Sequence, residues 1–84
     1  MNYDVPLLVL LIERFKANYP IGKKVAFEPL IDGFEVYFET KCLGKIQIKN
    51  NKIEFSPPLL NPVLSSGVIT ERDLAIWVQN ELLK

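Results

Sequence analysis

The hydrophobic positions of the chain change period twice. Between residues 5 and 19 they recur at helical spacing, which sets Leu8, Leu11, Ile12, Phe15 and Tyr19 on one face. Asp4 is positioned to cap that helix. Pro6 falls in its first turn, where a missing N–H costs nothing, and Pro20 ends it. Val9 and Leu10 fall outside the core-facing stripe, beside Glu13. The apolar run from Leu7 to Ile12 stops at Glu13-Arg14, far short of the roughly 20 residues a membrane span needs. With Asp4 in place of a basic leader and no small-residue cleavage site after it, the run does not read as a signal peptide either.

From Lys23 to Ser56 the period is two, the spacing of half-buried strands. Phe34, Val36, Phe38 and Thr40 alternate with Glu35, Tyr37, Glu39 and Lys41. Ile46 and Ile48 alternate with lysines and Gln47, and Ile53 and Phe55 with Lys52, Glu54 and Ser56. Three turn signals join the runs. Asp32-Gly33 predicts a two-residue hairpin with Phe27 opposite Phe38. Cys42-Leu43-Gly44 predicts a three-residue loop that puts Phe38 opposite Ile48, and Asn50-Asn51 a tight turn pairing Ile48 with Ile53 and Ile46 with Phe55. One conflict arises. The first turn makes Pro29 and Val36 a hydrogen-bonded pair although proline has no N–H, so residues 23–28 are expected at a sheet edge with a longer loop or a bulge nearby.

Residues 57–68 hold three prolines, which exclude a long helix or central strand, yet Leu59, Leu60, Val63 and Leu64 suit a packed loop better than a free linker. The period of 3.6 returns over residues 71–84, with Thr70 as N-cap, Asp73 in the capping-box position and an Ile69–Leu74 staple. Leu74, Trp77, Val78 and Leu82 form the inward stripe; Ile76 and Leu83 emerge on the far side. The expected architecture is one α+β domain over residues 1–84. An N-terminal helix leads into a four-stranded antiparallel meander, a Pro-rich packed loop and a C-terminal helix, with both helices on one face of the sheet.

Composition narrows the chemistry. Ten Lys and Arg balance ten Asp and Glu, so there is no global pull toward polyanions. Absence of His removes the common nucleophile–base pairs and His-ligated metals, and one Cys excludes an intrachain disulfide or a cysteine zinc cluster. No phosphate-loop spacing occurs around Ser65-Ser66-Gly67. These features lead us to expect a cytoplasmic, non-enzymatic protein without a cofactor or metal.

Two surfaces remain as candidates. The outer stripes of the helices, Val9, Leu10, Ile76 and Leu83, predict a protein-interaction or assembly module that binds itself or another protein. Alternatively, Tyr37 with Lys41, Lys45, Lys49 and Lys52, all expected on the wet sheet face, would offer phosphate neutralisation and base stacking for RNA or single-stranded nucleic acid. Glutamates interleaved with those lysines favour the first reading.

Overall fold

The computed structural model describes residues 3–59 and 69–84. Helix α1 spans Val5–Asn18, where the Asp4 carboxylate accepts a hydrogen bond from the Leu7 N–H at 2.9 Å. A short 3-10 helix, Pro20–Lys24, leads into β1 (Val25–Leu30), β2 (Gly33–Phe38), β3 (Lys41–Lys49) and β4 (Lys52–Ser56), and the chain closes with α2 (Glu71–Leu82). Lys23 and Lys24 thus belong to the 3-10 turn, and the first strand starts two residues later than the alternation suggests. The strands form one antiparallel sheet in the order β1-β2-β3-β4.

Burial follows the two periods. Leu8, Leu11, Ile12 and Phe15 from α1 join Leu74, Trp77 and Val78 from α2 and Val25, Val36, Ile46 and Phe55 from the sheet in one cluster. Both helices therefore cover the same sheet face. Trp77 is fully buried, lies 5.5 Å from Phe55 between ring centroids, and donates its indole N–H to the Pro57 carbonyl at 2.8 Å. A buried Trp needs such a partner for its N–H. At the start of α2 the Asp73 carboxylate accepts from both the backbone N–H and the hydroxyl of Thr70, at 2.8 and 3.1 Å. That contact explains why Asp73 is buried although charged.

The strand faces are as expected except at Lys41, and two registers differ. The first hairpin turns at Ile31-Asp32, not Asp32-Gly33, so Phe27 faces Val36 and Pro29 faces Phe34. Moving the turn by one residue slides the pairing by two and leaves every side chain on its face. It also removes the proline conflict. With Leu30 and Gly33 flanking the turn as a hydrogen-bonded pair, Pro29 becomes a non-hydrogen-bonded position whose nitrogen faces the open edge. Gly33 serves the sheet, not the turn: a Cβ there would lie 2.0 Å from the Ile46 carbonyl oxygen.

The second hairpin turns at Glu39-Thr40, with Glu39 at φ 55°, and the register shifts after Val36, where Gly44 gives way to Cys42 as the next partner on β3. Leu43 is the extra residue of this bulge and points into the core at 5% exposure. Phe38 consequently faces Val25 and Lys41, not Phe27 and Ile48, and the fully buried centre of the sheet is Val36. The reason is tertiary. Gly44, at φ 144°, passes so close beneath α2 that a Cβ would meet Trp77 at 3.0 Å and the Ser56 carbonyl oxygen at 2.1 Å. Burying Leu43 and seating Trp77 outweigh a left-handed Glu39, a cost of roughly 1–2 kcal/mol. The third turn is as expected: Asn50 and Asn51 both take positive φ, and Ile48 faces Ile53 and Ile46 faces Phe55. The expected packing of Leu60, Val63 and Leu64 lies outside the described residues; Leu59 packs against the core.

Candidate functional site

The outer sheet face is built from positions whose side chains alternate with the core. Across it run Glu28 opposite Glu35, Glu35 opposite Lys45, Gln47 opposite Glu54 and Lys49 opposite Lys52. Lys49 also reaches Glu54 at 3.6 Å. Three acids thus share this surface with three lysines. Tyr37 faces Cys42, and its hydroxyl lies 3.4 Å from a Glu35 carboxylate oxygen. The Glu35 charge, with a smaller contribution from Cys42, pushes the phenol above its ordinary value.

Lys41 does not join this surface, contrary to the alternation. The Glu39-Thr40 turn places it opposite Phe38, on the helix-bearing side, where its ammonium lies 3.3 Å from the backbone carbonyl oxygen of Lys84. Of the five residues proposed for nucleic acid, Tyr37, Lys45, Lys49 and Lys52 lie on the wet face, among glutamates.

The other outward surface belongs to the helices. Among the described residues the exposed large hydrophobic side chains are Val5, Val9, Leu10, Ile31 and Leu83; all but Ile31, at the first hairpin tip, belong to the two helices and the α2 C-cap. Leu10 is 44% exposed, Leu83 86%, and Ile76 is half-buried. Leu10 lies at one end of α2. It lines a cleft of about 170 Å³ between the helices, whose walls carry Leu7, Leu11 and Arg14 on α1, and Ile69, Thr70 and Glu71 at the start of α2. Leu83 lies twelve positions beyond Glu71, roughly 18 Å along the helix axis, on the same side as Ile76 seven residues earlier.

Tyr3 closes the floor of that cleft, and the hydrophobic pattern gives no hint of it. It precedes the periodic segments, yet it is 7% exposed: its N–H donates to the Asn51 carbonyl at 2.7 Å and its hydroxyl accepts from the Ile69 N–H at 2.8 Å. The lead-ins to both helices are thereby tied together beside the third hairpin. No other cue than an isolated aromatic before a cap could have drawn attention to it.

Among the described residues no group of three or more His, Cys, Asp or Glu side chains is placed to hold a metal ion, and no helix is long and apolar enough to cross a membrane. Cys42 is exposed and unbonded to another cysteine. Compared with protein-family models, with curated proteins and with solved structures, the chain gives no match.

Proposed function

We propose that this chain is a non-enzymatic protein-interaction module whose docking face is the outer side of its two helices. The observation that carries this reading is the segregation of exposed apolar side chains: Val9, Leu10 and Leu83 are solvated on the helix layer, while the sheet face carries interleaved charges. An interface of ordinary size covers about 800 Å² per partner, a patch roughly 30 Å across, so the roughly 18 Å along α2 from Glu71 to Leu83 fits inside one contact. Fully burying one Val or Leu contributes roughly 1.5–3 kcal/mol, and several such residues can offset the rigid-body entropy of association. The partner is a second copy or another protein. Nucleic acid is disfavoured because Lys45 faces Glu35 and Lys49 reaches Glu54, which leaves few counterions to release.

Light scattering over a concentration series tests this. The wild type is expected above its 9.6 kDa monomer mass, and the Leu10→Glu/Leu83→Glu variant at the monomer mass with an unchanged circular dichroism spectrum. An oligomer whose mass the folded double variant leaves unchanged would place the contact away from the helix layer, and the reading fails.

A further inference from the structure

We infer that the inter-helix cleft at the start of α2 is a self-complementary contact that binds a second copy of this chain, with Arg14 and Glu71 as reciprocal charge partners. The inference rests on the interaction reading above and adds a partner, a symmetry and a pairing. The cleft has an apolar lining, Leu7, Leu10 and Leu11 on the α1 wall with Tyr3 and Ile69 beside them. Its two walls carry opposite charges: Arg14 on α1 is exposed, and Glu71 on α2 is half-buried. The ion pairs among the described residues, Lys49–Glu54 and Lys84–Glu81, use neither.

A patch with an apolar lining and one charge of each sign on opposite walls is complementary to itself under a single operation. A two-fold axis running along the cleft brings the α1 wall of one copy over the α2 wall of the other. Each Arg14 then meets Glu71 of the partner copy, and each Leu10 lies over the Ile69 side of the opposing cleft. An axis across the cleft would instead stack like charges, so the charges also select the orientation.

Charge reversal separates this from the broader reading. Arg14→Glu and Glu71→Arg are each expected to weaken self-association about tenfold or more, since each homodimer then holds two like-charge contacts. In a 1:1 mixture the first variant offers two acids and the second two bases, so a heterodimer is expected to form as tightly as the wild-type dimer or tighter, detected by light scattering and native mass spectrometry. If the wild type dimerises and neither reversal changes its affinity, the cleft is not the contact, although the helix layer can still be the docking face. If both singles weaken the dimer and the mixture does not restore it, the Arg14–Glu71 pairing is wrong. A wild type that stays monomeric at millimolar concentration overturns this inference whatever the fate of the interaction reading with other proteins.

Discussion

The molecule turns two very different surfaces to solvent. The sheet face is made by a period-two pattern whose polar members carry both signs: Lys45 faces Glu35 and Lys49 reaches Glu54, beside the like-charge pairs Glu28–Glu35 and Lys49–Lys52. The helix layer leaves Val9, Leu10 and Leu83 in water after its inward stripes are filled. A solvated sheet needs charge, and this one has as much as it needs. A helix buried along one stripe has no use for a second apolar one, so the contrast locates the unexplained surface of the molecule on its helices.

The largest effect concerns the layer that separates these surfaces. Trp77 fills the space between α2, Phe55 and Gly44 with no exposure. Trp77→Ala is expected to cost about 3–5 kcal/mol in a urea melt; a loss below about 1 kcal/mol would show that α2 is not seated there and would dissolve the distinction between covered and open faces. The Leu10→Glu/Leu83→Glu pair sharpens the comparison from the other side. Both side chains are exposed, so stability should move by no more than about 0.5 kcal/mol per site while the mass falls.

A subtler effect tests the sheet face. The Tyr37 phenol lies above its ordinary value of 10.0 chiefly because of Glu35. The folded state therefore holds that proton to higher pH than the unfolded chain does. The resulting stability is complete below pH 10 and disappears as the pH rises through the folded value. Glu35→Gln is expected to bring the Tyr37 titration, followed by ring NMR shifts, back toward the ordinary value; a curve that does not move would mean Glu35 does not govern this phenol. The smallest effect is a minor one: Lys45→Glu/Lys49→Glu sets acids against Glu35 and Glu54 and is expected to cost roughly 0.2–1 kcal/mol per site, while the wild type is expected to bind RNA at near-physiological salt no better than a weak non-specific ligand. Micromolar RNA binding abolished by this pair would instead move the functional surface to the sheet.

The face of the strand residues other than Lys41 was legible in the chain, whereas the position of two turns was not. Alternation set Phe34, Val36, Ile46 and Phe55 toward the helices, and a slide of two along β2 leaves that parity intact. The Asp32-Gly33 dipeptide is a strong local turn signal, but Pro29 can sit in β1 only if the turn moves back by one residue, and the contradiction at Pro29 already marked the weak point. Gly44 misled for a different reason. Its positive φ suits a loop, and it does have one, at 144°; yet the glycine is required because Trp77 and Ser56 approach it, contacts that come from more than ten residues away in sequence. Lys41 follows from the same displacement, since the bulge at Leu43 changes which side of the sheet it reaches. The Arg14–Glu71 juxtaposition and the anchoring of Tyr3 were likewise invisible, because both depend on how the two helices lie against each other.

The central claim, that the helix layer and not the sheet is the docking face, is tested most directly by recording amide NMR shifts of the wild type on dilution from millimolar to micromolar concentration. The account predicts that shifts move at Val9, Leu10, Arg14 and Glu71 and stay fixed at Lys45, Gln47 and Glu54. Movement confined to the sheet residues would contradict it.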